Sequence, residues 1–178
     1  MFRFTRWFLV PMVVPTIATA QGNPVVEIGT SLGVAITSAH GSSVTHFGIP
    51  GQGLLGQPTV YATLFAGRTA TIEPQVALSI ISSEGETVTT VGLGGQIGYL
   101  FQGSTSNSPF IAGVLGFQSV SGGGTSGSDF GLGAKVGYRV LISTSVGVRF
   151  EGGYRRWFDG ELNEFTFGIG IGGIINRD

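Results

Sequence analysis

The residues of this 178-residue chain that could do chemistry are acids and bases that recur at even spacings. Arg149, Glu151 and Arg155 form the densest group, and side chains two or four residues apart lie on the same face of a β-strand. Opposite charges arranged in this way can neutralise one another in ion pairs, or they can line a path for ions. Strand parity assigns seven residues to this charged network: Glu27, Glu73, Lys135, Arg139, Arg149, Glu151 and Arg155.

The two histidines are the other candidates for reactive groups. His40 and His46 lie close in sequence to Ser42, Ser43 and Thr45. A hydrolase needs a nucleophile beside a base that a third group orients, and no acid lies nearby in this segment. The sequence therefore predicts no catalytic residue, and a lipid-modifying barrel enzyme is the less favoured alternative.

Two further patterns could indicate a cofactor or a metal. Residues 168–173 match the G-x-G-x-x-G dinucleotide fingerprint, but that mechanism requires a following helix and the sequence ends five residues later. Asp159, Glu161 and Glu164 could bind a divalent cation, although a solvated acidic loop is the favoured interpretation. We expect no cofactor-binding site and no metal site.

Alternation of apolar with small or polar residues runs through most of the chain. Charged residues make up only 11 % of the sequence, against an average of roughly 25 %. Glycine accounts for 32 of the 178 residues, well above its average share of roughly 7 %. A water-soluble sheet protein of this size would normally carry more charge. The alternation predicts eight β-strands, at residues 25–39, 59–67, 71–81, 87–101, 110–120, 129–141, 144–157 and 164–175.

The N-terminus has the features of a secretory signal peptide. Arg3 and Arg6 precede a short apolar stretch, and residues 18–20 form an A-x-A cleavage site. We expect residues 1–20 to be removed and residues 21–178 to form one domain. The formal net charge of −1 gives no basic patch of the kind that nucleic-acid binding requires.

Glycine indicates which face of the strands points inward. Most strand glycines share parity with the charged residues, and the interior of an eight-stranded barrel is just wide enough for side chains if small residues leave room. In a soluble ligand-binding barrel, the alternative, these glycines would be exposed for no evident reason. The sequence therefore predicts an all-β fold, an eight-stranded antiparallel transmembrane up-and-down β-barrel with its apolar face toward lipid.

Three details of the prediction concern irregular segments. Residues 40–58 are expected to form a long loop, and the glycine-rich residues 122–127 a shorter one. Pro74 lies within the third strand on the lipid side, where a closed barrel has no free edge. We interpret it as a late strand start or a bulge.

The C-terminal half resembles a known family. Residues 133–139 (GAKVGYR), 146–155 (VGVRFEGGYR) and 165–171 (FTFGIGI) are similar to strands of the small outer-membrane β-barrels, which include OmpA-like and opacity-porin-like membrane domains. The resemblance implies location in the bacterial outer membrane, contact with its lipids, passage through the periplasmic chaperone and barrel-assembly machinery, and a monomer. It implies a structural or surface-interaction role, and the alternative is a small pore or passive transporter.

A transmembrane barrel should resist detergent until it is boiled. We expect the unboiled protein to migrate differently from the boiled protein on a detergent gel and to fractionate with the outer membrane. Soluble protein without such a shift would contradict the predicted fold.

Overall fold

The computed structural model describes residues 26–39, 41–48, 59–83, 86–122 and 124–175; the predicted signal peptide lies outside these ranges. No helix in the described ranges is long and apolar enough to cross a membrane. The described residues form nine β-strands: β1 Val26–Ala39, β2 Ser42–Gly48, β3 Thr59–Ala66, β4 Ala70–Ser83, β5 Glu86–Leu100, β6 Ser108–Gly122, β7 Thr125–Ser143, β8 Val146–Trp157 and β9 Asn163–Ile175.

The strands close into an antiparallel barrel through the pairing of β1 with β9. β1 pairs with β2 along its second half and with β3 along its first, so β2 and β3 share one position in the wall. The nine strands thus make an eight-stranded barrel, as predicted. If the residues that lie opposite one another are followed around the barrel from Glu27 of β1, the path returns to β1 at Thr37, ten residues further along the strand. This stagger corresponds to a strand tilt of about 40°.

Strand β2 corrects the prediction of one long loop over residues 40–58. Ser42–Gly48 pairs with Gly33–Ala39 of β1, because Val44 and its hydroxyl neighbours suit a strand that completes the ladder of β1. The partner of β1 then changes from β2 to β3, since Gly33 lies opposite Gly48 of β2 whereas Thr30 lies opposite Val60 of β3. The intervening residues 49–58 lie outside the described ranges.

The predicted loop over residues 122–127 is also wrong. β6 extends to Gly122 and β7 begins at Thr125, so only two residues connect them. Gly122 and Gly124 have φ angles of 121° and 73°, a left-handed backbone that glycine adopts without steric cost. The glycine-rich composition therefore serves a tight turn between two long strands.

Pro74 marks neither a late strand start nor a bulge, since β4 begins at Ala70. The pairs Tyr61–Gln75 and Leu64–Ile72 keep one register across it, and only the two intervening residue pairs are missing from the ladder. Proline has no N–H to donate to β3. On its other side Pro74 lies opposite Gly95 of β5 within an unbroken register.

The outer face changes character toward the ends of the strands. We call the end that carries the chain termini the terminal rim and the opposite end the loop rim. Tyr99 and Phe101 form an edge-to-face pair at the terminal rim, with centroids 5.3 Å apart. Phe130 and Phe158 stack at the loop rim with centroids 6.1 Å apart. Aromatic residues at both ends of an apolar band are typical of membrane barrels.

Glycine substitutions at contrasting positions test the packing of the wall. A methyl group at Gly133 would lie 2.8 Å from the Cα atom of Arg155, whereas one at Gly113 would have no heavy atom within 4 Å. We expect Gly133→Ala to lower the free energy of unfolding by about 1–3 kcal/mol, as overpacking does. Gly113→Ala, the control, should be neutral or slightly stabilising. Urea titrations of the refolded protein in lipid vesicles measure both, and equal effects would contradict this packing.

Candidate functional site

The lumen contains a neutral cluster of three acids and three bases. Glu27 of β1 faces Arg139 of β7, with Nε and Nη2 of the arginine 2.8 and 2.7 Å from Oε2 of the glutamate. The same guanidinium donates from Nη1 to the carbonyl of Ser104, at 2.8 Å. Arg139 therefore ties β1 to the connection between β5 and β6.

Arg149 of β8 forms the centre of the cluster. Its Nη1 and Nη2 atoms donate to the two carboxylate oxygens of Glu73, at 2.5 and 3.0 Å. Glu73 also accepts hydrogen bonds from the hydroxyl of Thr63 and from Nε2 of Gln75. A two-pronged arginine–carboxylate pair of this kind fixes orientation as well as charge. Both side chains are almost completely buried.

Glu151 links the remaining base to the centre. Its Oε1 lies 3.1 Å from Nζ of Lys135, and its Oε2 lies 3.4 Å from Nε of Arg149. Each of the three acids thus contacts at least one of the three bases. Because a buried charge is costly without a partner, this closed set can persist inside the wall.

Aromatic rings cover the guanidinium groups. The ring of Tyr61 lies 3.7 Å from Cζ of Arg149, and the ring of Phe65 lies 5.1 Å from Cζ of Arg139. Such contacts attract the cation to the face of the ring. Tyr61 and Phe65 are not among the residues predicted to face the lumen, and alternation along a strand does not reveal which cation each ring contacts.

A second group occupies the lumen near the loop rim. Arg155 lies 5.2 Å from the ring of the fully buried Trp157, whose Nε1 donates to Glu164 at 3.3 Å. Asp129 accepts hydrogen bonds from the backbone N–H groups of Asp159 and Gly160, at 2.9 and 3.0 Å. The carboxylate of Asp129 therefore holds the β8–β9 connection over the barrel end.

Glycines make room for these side chains. A methyl group at Gly170 would lie 2.8 Å from Cγ of Arg149, and one at Gly153 would lie 2.7 Å from Cγ of Lys135. The side chains fill the lumen so well that the cavity among them measures only about 30 Å³. A cavity of that volume holds no more than a few water molecules.

The seven residues assigned to the charged network all lie in the lumen. Six of them form the neutral cluster, whereas Arg155 lies apart from it beside Trp157. Parity would also have found Asp129 and Glu164, which share the inner face with Gly131 and Gly168. The stagger of the barrel determines which charged residues pair with one another, and it brings together residues as distant in sequence as Glu27 and Arg139.

The other candidate residues have different positions. Glu164 points into the lumen, away from the proposed acidic loop, and no cluster of three metal-ligating side chains occurs among the described residues. His40 lies outside the described residues, and His46 lies in β2 with its side chain outside the description.

Solved structures with the same fold are outer-membrane barrels. Neisserial surface protein A aligns with a TM-score of 0.58 and 13 % identity over 86 % of this chain and 99 % of its own. The attachment invasion locus protein Ail of Yersinia pestis gives 0.52 and 11 % over 88 % and 100 %. OprG of Pseudomonas aeruginosa gives 0.53 and 9 % over 88 % and 97 %. The chain therefore has the fold of an eight-stranded outer-membrane β-barrel. No protein-family model and no curated protein matches the sequence.

Removing both members of the central ion pair should destabilise the barrel by less than the sum of the two single losses. Arg149→Gln leaves the carboxylates of Glu73 and Glu151 without their shared partner, and we expect a loss of about 3–5 kcal/mol in unfolding free energy. The double variant Glu73→Gln/Arg149→Gln should lose less than the sum of the two single variants.

Urea unfolding at neutral pH measures this cycle. The exposed Arg68 lies in the turn between β3 and β4, so Arg68→Gln serves as the matched control and should change the free energy by less than about 0.5 kcal/mol. Strictly additive effects in the double variant would contradict the coupling of Arg149 with Glu73.

Proposed function

We propose that this protein is a monomeric outer-membrane barrel that mediates contact at the cell surface, through strands that project beyond the membrane. The observation that carries the proposal is a four-stranded extension of the wall at the loop rim, formed by β4–β7. Its outer face changes abruptly from apolar to hydroxyl-bearing side chains.

The extension follows from unequal strand lengths. The last pair between β7 and β8 is Gly131–Trp157, so the residues of β7 before Gly131 pair only with β6. Among the described residues, the last pair between β3 and β4 is Ala77–Thr59, and the rest of β4 pairs only with β5. The wall is therefore about six residues taller on this side than at β8.

Side-chain chemistry locates the membrane surface on the extension. Toward the barrel, the outward side chains are apolar, including Ile80, Val91, Phe117 and Phe130. Beyond them, every outward side chain that the structure describes on these strands bears a hydroxyl group. These residues are Ser82, Thr87, Thr89, Ser119, Ser121, Ser126 and Ser128. Such a surface suits water rather than hydrocarbon, and it is rich in hydrogen-bond donors and acceptors.

The lumen favours contact over transport. The cavity among Glu27, Glu73, Arg139 and Arg149 measures only about 30 Å³, and paired charges occupy the lumen around it. A pore would require these ion pairs to separate, which is costly in a narrow tube. The structural neighbour Ail carries attachment in its name, which agrees with a surface role.

Location and assembly complete the proposal. The apolar outer face, the two aromatic rims and the closed wall suit insertion by the barrel-assembly machinery after export by the signal peptide at residues 1–20. The termini then lie on the periplasmic side and the extension faces the exterior.

Trimming the extension tests the proposed function. Residues 82–87 and residues 119–128 are each replaced by an Asn-Gly turn, which leaves the pair Gln118–Asp129 intact. Cells that display the wild-type barrel should be retained several-fold better on glass and on a cultured epithelial layer than cells that display the trimmed barrel. The gel shift of the unboiled protein tests whether the wild-type and the trimmed barrel are both folded.

Planar-bilayer recording separates contact from transport. We expect no stable conductance steps from the wild-type barrel. Equal retention of both cell types, together with steps that disappear in Arg149→Gln, would overturn the contact role in favour of a pore.

A further inference from the structure

One charged side chain breaks the rule that charges in this barrel face the lumen. Among the strand residues whose side chains the structure describes, Arg156 is the only charged residue on the outer face. It lies at the loop rim, opposite Leu132 of β7 and Asn163 of β9. A charged side chain on the lipid-facing wall of a barrel is tolerated near the membrane border, where it can reach the headgroup region.

Hydrogen bonds hold the guanidinium of Arg156 in place. Its Nη1 donates to the carbonyl of Glu161 at 3.0 Å and to Oδ1 of Asn163 at 3.1 Å. The hydroxyl of Tyr154 donates to the same Oδ1 at 2.7 Å. Three neighbouring residues thus fix one edge of a half-buried guanidinium at the rim.

The backbone that supplies the carbonyl is itself constrained. Glu161 has a φ of 49°, the only positive value among the described non-glycine residues. The hydrogen bonds of Asp129 to Asp159 and Gly160, and of the Trp157 N–H to the Leu162 carbonyl, secure this short connection. A residue in the left-handed region persists only where its surroundings impose it. The connection between β8 and β9 therefore positions Arg156 rigidly.

Aromatic pairs lie on both sides of this arginine. Phe130 and Phe158 stack on the side away from the membrane centre. Tyr154 and Phe165 pack on the membrane side, with centroids 5.0 Å apart. All four side chains are more than two-fifths exposed on the outer wall. They offer an apolar surface next to a fixed cation.

We propose that Arg156 binds the headgroup of a phosphate-bearing lipid in the surrounding leaflet, while the acyl chains lie along Tyr154 and Phe165. A guanidinium presents parallel N–H donors that match phosphate oxygens, and such hydrogen bonds are stronger than neutral ones. The ligand is a lipid because the cation lies on the outer wall between two exposed aromatic pairs. The inference rests on the membrane placement proposed above, and it is independent of the contact role of the extension.

Retention of lipid by the purified barrel tests this site. The barrel in neutral detergent micelles is mixed with lipid A, an acylated glycolipid that carries two phosphates, and bound lipid is counted by native mass spectrometry. We expect Arg156→Gln to reduce retention about tenfold, in line with the loss of a charge-assisted hydrogen-bonding group. Arg156→Lys should retain an intermediate amount, because it keeps the charge but not the planar fork.

Two controls isolate the headgroup contact. Arg68→Gln removes an exposed arginine at the terminal rim and should retain lipid like the wild type. Lipid A stripped of its phosphates should bind the wild type as weakly as intact lipid A binds Arg156→Gln.

Three outcomes would overturn the proposal. They are equal retention by Arg156→Gln and Arg68→Gln, equal retention of the dephosphorylated lipid, and displacement of the lipid by millimolar inorganic phosphate. The gel shift of each variant confirms that the barrel is folded before lipid is counted. Loss of lipid retention with normal cell adhesion, or the reverse, separates this site from the proposed contact role.

Discussion

The width of the lumen is the constraint on which the rest of this structure depends. Eight strands staggered by ten residues enclose a space that cannot hold two large side chains at the same level. Several large inner side chains therefore lie over glycines. Trp157 covers Gly131, Phe110 covers Gly137, and Glu27 covers both Gly147 and Gly172. The high glycine content is the complement of the large inner side chains, and neither set would pack without the other.

The same constraint gives the ion pairs a second role. A shift of one residue in any strand would turn its charges toward lipid and its apolar side chains into the lumen. A shift of two would keep the faces but place Arg149 over a neighbour other than Gly170 and move it away from Glu73. Because a separated charge in this space is costly, the network opposes both errors. We infer that the cluster helps to fix the strand register as well as to close the tube.

Alternation in the sequence was enough to predict the strands, their faces and the closed barrel. It failed for β2, because a Ser- and Thr-rich sequence is typical of a loop, and this segment forms a strand through its hydrogen bonds with β1. It placed Arg155 in the lumen but not at a level along the barrel, since parity assigns a face and not a height. The contact of Glu27 with Arg139 spans 112 residues of sequence and depends on the stagger of the whole wall. Partners of this kind follow from closure, which no local pattern encodes.

The unequal height of the wall separates two environments at the loop rim. On the side of β4–β7, apolar side chains give way to hydroxyl groups, and the strands continue into water. On the side of β8 and β9, the strands end near Arg156 and its aromatic neighbours, which is the proposed level of the lipid headgroups. In the proposed placement, the low side contacts lipid and the tall side contacts other surfaces. The loop rim of this closed barrel thus has two chemically different sides, because the strands on the two sides differ in length.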